Sequence, residues 1–143
     1  GLRDLAPEAE KLGVSIGVEN VWNKFLLSPI EMRDFLDAVG SDHVGAYFDV
    51  GNVILYGFPE DWIRILGRRI KKVHFKDFRG AVGTLAGFVN LLEGDVNWPE
   101  VMTALDEIGY RDYAYTELSP YKYYGDNLIY DISRAMDRIL GRA

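Results

Sequence analysis

Apolar residues fall at positions 2, 5, 9 and 12, the spacing of one helix face. Pro7 sits inside that run and Lys11-Leu12-Gly13 closes it with a glycine. Val14–Val18 is short and β-branched, a strand that ends on Glu19. Glu19–Leu27 reads as a loop carrying Trp22, Asn23 and Lys24. Ser28-Pro29-Ile30-Glu31 combines a capping Ser, a first-position Pro and a Glu three residues after the Ser, which marks a helix start. Met32, Phe35, Leu36 and Val39 give that helix its buried face and Gly40 ends it. Val44–Asp49 is the second strand, followed by a loop from Gly51 to Pro59. A helix from about Pro59 to Gly67 places Trp62, Ile65 and Leu66 on one side.

Ile70–Phe75 is the third strand. The segment from Lys76 to Asn97, with Gly80, Gly83, Gly87 and Gly94, reads as a long loop, and loops of that length are usually functional or mobile. Asn97 caps a helix that opens at Trp98-Pro99-Glu100 and stops at Ile108-Gly109. Tyr113–Glu117 is the fourth strand, and a final helix runs from about Asn127 to Leu140 with Leu128, Ile132, Met136 and Leu140 in register. Strands alternating with helices predict an α/β fold whose strands are parallel and whose helices are crossovers. All the strand C-termini then lie on one face, where such folds bind ligands. Four strands are too few for a closed barrel, which takes about 250 residues. The 143 residues therefore read as a single domain, 1–143, that is half of a (β/α)8 barrel. An apolar edge is expected, covered by the missing half or by a second copy. The opening Gly-Leu-Arg-Asp, without Met, reads as the start of a fragment.

Composition narrows the functions. Nearly half the residues are hydrophobic and the net charge is −6, which argues against a protein that grips nucleic acid through phosphate contacts. No cysteine is present, so disulfides and thiolate zinc sites are excluded and a reducing cytoplasm suits the chain. No apolar run approaches the roughly 18 residues of a membrane span, and no signal-peptide pattern opens the chain.

The candidate chemistry lies where the predicted strands end. Glu19, Asp49 and Glu117 each follow an apolar strand, and His74 stands near the end of a fourth, in Lys71-Lys72-Val73-His74-Phe75-Lys76-Asp77. Each alone has an ordinary explanation: a salt bridge for Glu19, a turn cap for Asp49, a core histidine for His74, a loop cap for Glu117. All four at one end of one sheet form an oxygen-rich donor set for a divalent cation, Mn²⁺, Mg²⁺ or Co²⁺, or a less selective site that takes Zn²⁺. His43 precedes its strand and takes no role. Lys76, Arg79 and Lys24 are loop cations at the same end that could hold a phosphate or hydroxyls, and Trp22 is the tryptophan in a loop there.

These residues also carry a resemblance. Val18-Glu19-Asn20, Phe48-Asp49-Val50-Gly51-Asn52, Val73-His74-Phe75-Lys76-Asp77, Glu93-Gly94-Asp95-Val96-Asn97-Trp98 and Tyr115-Thr116-Glu117 resemble the C-terminal half of the sugar-phosphate isomerase/epimerase family. This is the xylose-isomerase-like TIM-barrel group that includes D-tagatose 3-epimerase and L-ribulose-5-phosphate 3-epimerase. The resemblance implies a metal site on Glu19, Asp49, His74 and Glu117, with Mn²⁺ as first choice, and the two glutamates as the acid/base pair. It implies proton abstraction next to the carbonyl of a sugar or sugar phosphate, through an enediolate on the metal. One position departs: the tagatose-type enzymes carry a substrate-binding histidine three residues after the aspartate, where this chain has Asn52. An amide can bond a hydroxyl but does not exchange a proton near neutral pH. Three rival readings stand beside this one. An abasic-site endonuclease of the endonuclease-IV type needs more histidines than the two present. A polyol dehydratase would use the same metal site. A non-catalytic half-barrel would serve as an assembly module.

Overall fold

The computed structural model describes residues 1–142. Four parallel strands form one sheet in the order β1 (Ile16–Glu19), β2 (Val44–Asp49), β3 (Ile70–Phe75), β6 (Ala114–Thr116). Five α-helices accompany them: α1 (Leu2–Leu12), α2 (Pro29–Val39), α3 (Pro59–Leu66), α4 (Trp98–Glu107) and α5 (Asn127–Ile139). No helix among the described residues is long and apolar enough to cross a membrane. The expected α/β architecture with parallel strands is therefore present.

The predicted cap of α2 forms as its residues dictate. Ser28 Oγ accepts from Glu31 N at 3.2 Å, and the Glu31 carboxylate accepts from Ser28 N at 3.1 Å. Strand alternation then divides the sheet into two faces. Phe48, Val73 and Phe75 are fully buried among Met32 and Leu36 of α2, Ile63 and Leu66 of α3, and Val101 of α4. Trp62 stacks on Phe48 and Trp98 packs on Phe75, with ring centroids 6.1 and 4.9 Å apart. On α3, Ile63 is the residue buried beside Trp62, whereas the expected Ile65 is only partly covered. The opposite face carries Tyr47, Asp49 and His74, and Tyr47 packs on the imidazole with ring centroids 4.2 Å apart.

Two expectations shift. β1 begins at Ile16 instead of Val14, because its ladder starts where Ile16 N donates to His43 O, while Val14 O faces the His43 imidazole. The long loop after β3 is not structureless. It holds a two-stranded antiparallel ribbon, β4 (Asp77–Phe78) paired with β5 (Phe88–Val89). Asp77 organises it. This carboxylate is completely buried and accepts from Phe78 N (2.9 Å), Leu92 N (2.9 Å), Val96 N (3.2 Å) and Trp98 Nε1 (3.1 Å). Four donors satisfy a buried carboxylate without any cation.

The return of the chain to Asp77 requires a residue with no side chain. A Cβ built on Gly94 would stand 2.1 Å from Asp77 Oδ1 and 2.6 Å from Phe78 N. Gly94→Ala is expected to cost about 1–3 kcal/mol, the usual penalty of forced overpacking. A Cβ at Gly80 has nothing nearer than 3.5 Å. Gly80→Ala should stay within about 0.5 kcal/mol of the parent, as surface changes do. Urea unfolding of both variants checks the contrast; equal midpoints would remove Asp77 as the organiser of the segment.

Candidate metal centre

The site is built at the C-terminal ends of the four parallel strands. Glu19 ends β1, Asp49 ends β2, His74 is the next-to-last residue of β3, and Glu117 follows β6. One potential ligand atom from each lies within 4.8 Å of the others. His74 Nδ1 stands 3.2 Å from Glu19 Oε1 and 3.8 Å from Asp49 Oδ2. The four residues singled out in the sequence are thus brought together.

Asp49 is the inner wall. Its side chain is completely buried. Asn20 fixes its backbone from both directions: Asn20 Nδ2 donates to Asp49 O and Asp49 N donates to Asn20 Oδ1, both at 2.8 Å. Asn52 N then donates to Asp49 Oδ1 at 2.9 Å. Asp49 Oδ2 is left without a hydrogen bond, although the Lys76 ammonium lies 3.1 Å away as an ion-pair partner. Lys76 also donates to Glu117 Oε2 at 2.6 Å. Burial pushes the Asp49 carboxyl above its ordinary pKa, and the Lys76 charge works against that rise. The Lys76 hydrogen bond holds Glu117 below the ordinary value. Burial opposes the charge on Lys76, but Asp49 and Glu117 outweigh it and the ammonium ends above the ordinary lysine value.

A buried carboxylate oxygen whose partner is an ammonium at 3.1 Å, amid two further carboxylates and an imidazole, stands where a cation is favoured. The donor set therefore fits a divalent ion. Beside it opens a cleft of about 600 Å³ lined by Lys76, Leu85, Phe88, Asn90, Glu117 and Pro120.

The other expected contacts divide. Lys76 reaches the cluster. Asn52 is buried, and its amide donates to Asn20 O at 2.9 Å, so it braces the β1 and β2 ends. Trp22 donates from Nε1 to Asn52 O at 2.8 Å and packs edge-on against Phe78. Arg79 turns to Glu93, donating from Nε to its carbonyl at 3.0 Å. Lys24 is exposed, on a residue with φ of 62°. Sequence reasoning missed Asn20 as a brace. The signal was present, since Asn20 directly follows a candidate ligand and faces another asparagine placed just after the next one.

The model of the family described as "Xylose isomerase-like TIM barrel" matches residues 1–138. An uncharacterized protein of Methanocaldococcus jannaschii is 30% identical over 115 residues, which is 76% of this chain and 38% of that protein. Inosose dehydratase of Lacticaseibacillus casei is 27% identical over 134 residues, 82% of this chain and 44% of the enzyme. Among solved structures, the IolI protein with a binding zinc atom superposes with a TM-score of 0.81 at 24% identity. That match covers 99% of this chain and 54% of IolI, a likeness of fold. The chain spans less than half the length of these curated relatives.

Asn20→Ala strips the partners from two buried backbone groups of Asp49. It is expected to lower stability by on the order of 2 kcal/mol or more, since each unsatisfied buried group costs about 1–3 kcal/mol. Denaturant unfolding followed by tryptophan fluorescence measures it, and a loss below about 0.5 kcal/mol, the surface-mutation range, would show that the clamp is dispensable.

Proposed function

We propose that this chain, which belongs to the xylose isomerase-like TIM barrel family, supplies the metal-holding and proton-transferring face of an enzyme that enolises a polyhydroxylated ketone, as sugar isomerases and epimerases do. The observation that carries this reading is the convergence of Glu19, Asp49, His74 and Glu117 around a buried, hydrogen-bond-free carboxylate oxygen. These four residues would hold the ion. Three carboxylates and one imidazole suit Mn²⁺ first, with Mg²⁺, Co²⁺ or Zn²⁺ as alternatives. The zinc in IolI supports the divalent-ion part of the reading. When bound, the ion supplies Lewis-acid polarisation of the substrate carbonyl and its neighbouring hydroxyl.

The chain's own residues do the rest. Glu19 and Glu117 belong to β1 and to the end of β6, the two outer strands of the sheet, so Asp49 and His74 stand between them. In the proposed mechanism Glu19 takes the proton from the carbon next to the carbonyl. His74, against its Oε1 at 3.2 Å, holds that carboxylate in place. Glu117 stands on the other flank, its charge matched by Lys76. Proton return from the second carboxylate inverts the carbon, giving epimerisation. Return to the neighbouring carbon gives aldose–ketose isomerisation.

The charge of the site supports one substrate class. Two of the loop cations at this end are tied to acidic residues, whereas Lys24 and Lys122 are exposed. Lys76 is held by two carboxylates, Arg79 turns to Glu93, and Lys122 lies over the Tyr123 ring. With a divalent ion, three carboxylates and one lysine, the site is electrically balanced. A neutral ketose or cyclic polyhydroxyketone suits it better than a sugar phosphate. A second reading keeps the same first step and then expels a hydroxyl from the carbon beyond, a dehydration; the inosose dehydratase relative supports it.

Proton–deuterium exchange in D2O, with added Mn²⁺, tests the reading across free ketoses, cyclic polyhydroxyketones and their phosphates. Exchange is expected at the carbon next to the carbonyl of the neutral compounds. It should be lost with chelator and in Glu19→Gln, whereas Glu117→Gln, whose circular dichroism stays that of the parent, should keep exchange and lose the epimerised product. Parent-like exchange in Glu19→Gln, or parent-like epimerisation in Glu117→Gln, would defeat the acid/base assignment, and exchange confined to the phosphates would defeat the substrate class.

A further inference from the structure

Lys76 occupies ground that the metal needs. It lies two residues beyond His74 on the same side of the strand, and its side chain is only 13% exposed. Its ammonium is 2.6 Å from Glu117 Oε2 and 3.1 Å from Asp49 Oδ2. Those two residues supply half of the four-residue donor set. Without a positive charge among them, three carboxylates held this close would repel one another, and the buried Asp49 would have no counter-charge at all. With a divalent ion on the same oxygens, the ammonium and the ion would repel at close range. The lysine can stay nearby and balance the site's charge, but it and the ion cannot both contact the same Asp49 and Glu117 oxygens.

We propose that Lys76 is a tethered counter-cation: it holds Asp49 and Glu117 together while no ion is bound, and a divalent ion must displace it from at least one of them. This rests on the metal-site reading above. The displaced ammonium has a place to go. It already lies 5.0 Å from the centroid of the Phe88 ring, on the wall of the cleft beside the cluster. In this proposal the freed ammonium on that wall is available to a substrate oxygen in the cleft. Ion binding therefore comes before substrate binding, and it frees the lysine that the substrate then uses. The apparent affinity for the ion is the intrinsic affinity reduced by the fraction of molecules whose oxygens are free.

Lys72 provides the control. It is two residues before His74 on the same strand, but its ammonium is paired with Asp112 at 2.6 Å and lies over the rings of Tyr113 and Tyr115. Removing it removes the same charge without vacating a ligand oxygen. Isothermal titration of Zn²⁺ into the parent, Lys76→Met and Lys72→Met, with melting curves of the metal-free forms, separates the ideas. Lys76→Met is expected to bind Zn²⁺ about tenfold tighter or more, since occupancy of the site no longer competes. Its metal-free form should melt below the parent. Lys72→Met should bind within about twofold of the parent, because a more distant surface charge is screened. Lys76→Gln serves in place of Lys76→Met if the latter does not fold. Unchanged or weaker Zn²⁺ binding in the Lys76 variant overturns the proposal while leaving the metal site standing. So does an equal gain in Lys72→Met, which would mark a general field effect. A parent protein that binds no Zn²⁺, Mn²⁺ or Co²⁺ overturns the metal reading and this proposal together.

Discussion

Burying a carboxylate next to two others is unfavourable unless something positive stands against them, and the arrangement of this chain follows from how that demand is met. Asp49 is fixed by its backbone and not by its charge. The Asn20 amide grips both its N–H and its C=O, and Asn52 N holds one carboxylate oxygen. The second oxygen is thereby aimed at Lys76 and at the space shared with Glu19, His74 and Glu117. The parallel sheet serves this placement. Its apolar side chains face the helices and pack there, while the alternate residues on β2 and β3 are delivered to the ligand end of the opposite face.

A second buried aspartate shows the contrast. Asp77 is as inaccessible as Asp49, yet four donors converge on it and none of them is a cation. Its acceptor capacity is spent on the ribbon after β3. Asp49 keeps one oxygen free of neutral donors, with the Lys76 ammonium 3.1 Å away as its partner. The difference between a carboxylate that organises backbone and one that offers a ligand is thus read from what each oxygen touches, and burial alone does not tell them apart. The ribbon that Asp77 anchors also carries Phe88, which forms the wall of the cleft against Lys76.

Local rules sufficed for much of this. The capping box of α2, the β2 and β3 spans and the Asn97 cap of α4 all stand where the residues indicate. The four ligand-type residues were legible because strand alternation and parallel order constrain where strand ends meet. Two kinds of feature were not. The brace from Asn20 to Asp49 spans 29 residues, and the bond from Trp98 to Asp77 spans 21, so no window of sequence contains either. The direction of a long cation was equally hidden. Lys76, Arg79 and Lys24 are alike as charged loop residues, yet only Lys76 turns into the cluster, because alternation after His74 sends it there. The ribbon within 76–97 escaped for the first of these reasons: its two strands are two residues each, and a distant carboxylate holds them.

Epimerisation, isomerisation and dehydration share one opening step, loss of a proton beside a polarised carbonyl, and the residues assembled here suit that step. They part afterwards, according to whether a proton returns or a hydroxyl leaves. Glu19 is held against His74 on the inner side of the cluster, whereas Glu117 is largely exposed and leans on Lys76. In the proposed mechanism the second proton transfer depends on a carboxylate that Lys76 holds in place. The outcome also depends on what faces it. Tyr115, in register with His74 and 44% exposed, lies on the same face of the sheet as the cluster. In the proposed enzyme, enolisation is built by the four strand ends described here, and the fate of the enolate is set by what stands opposite Glu117 when the substrate is bound.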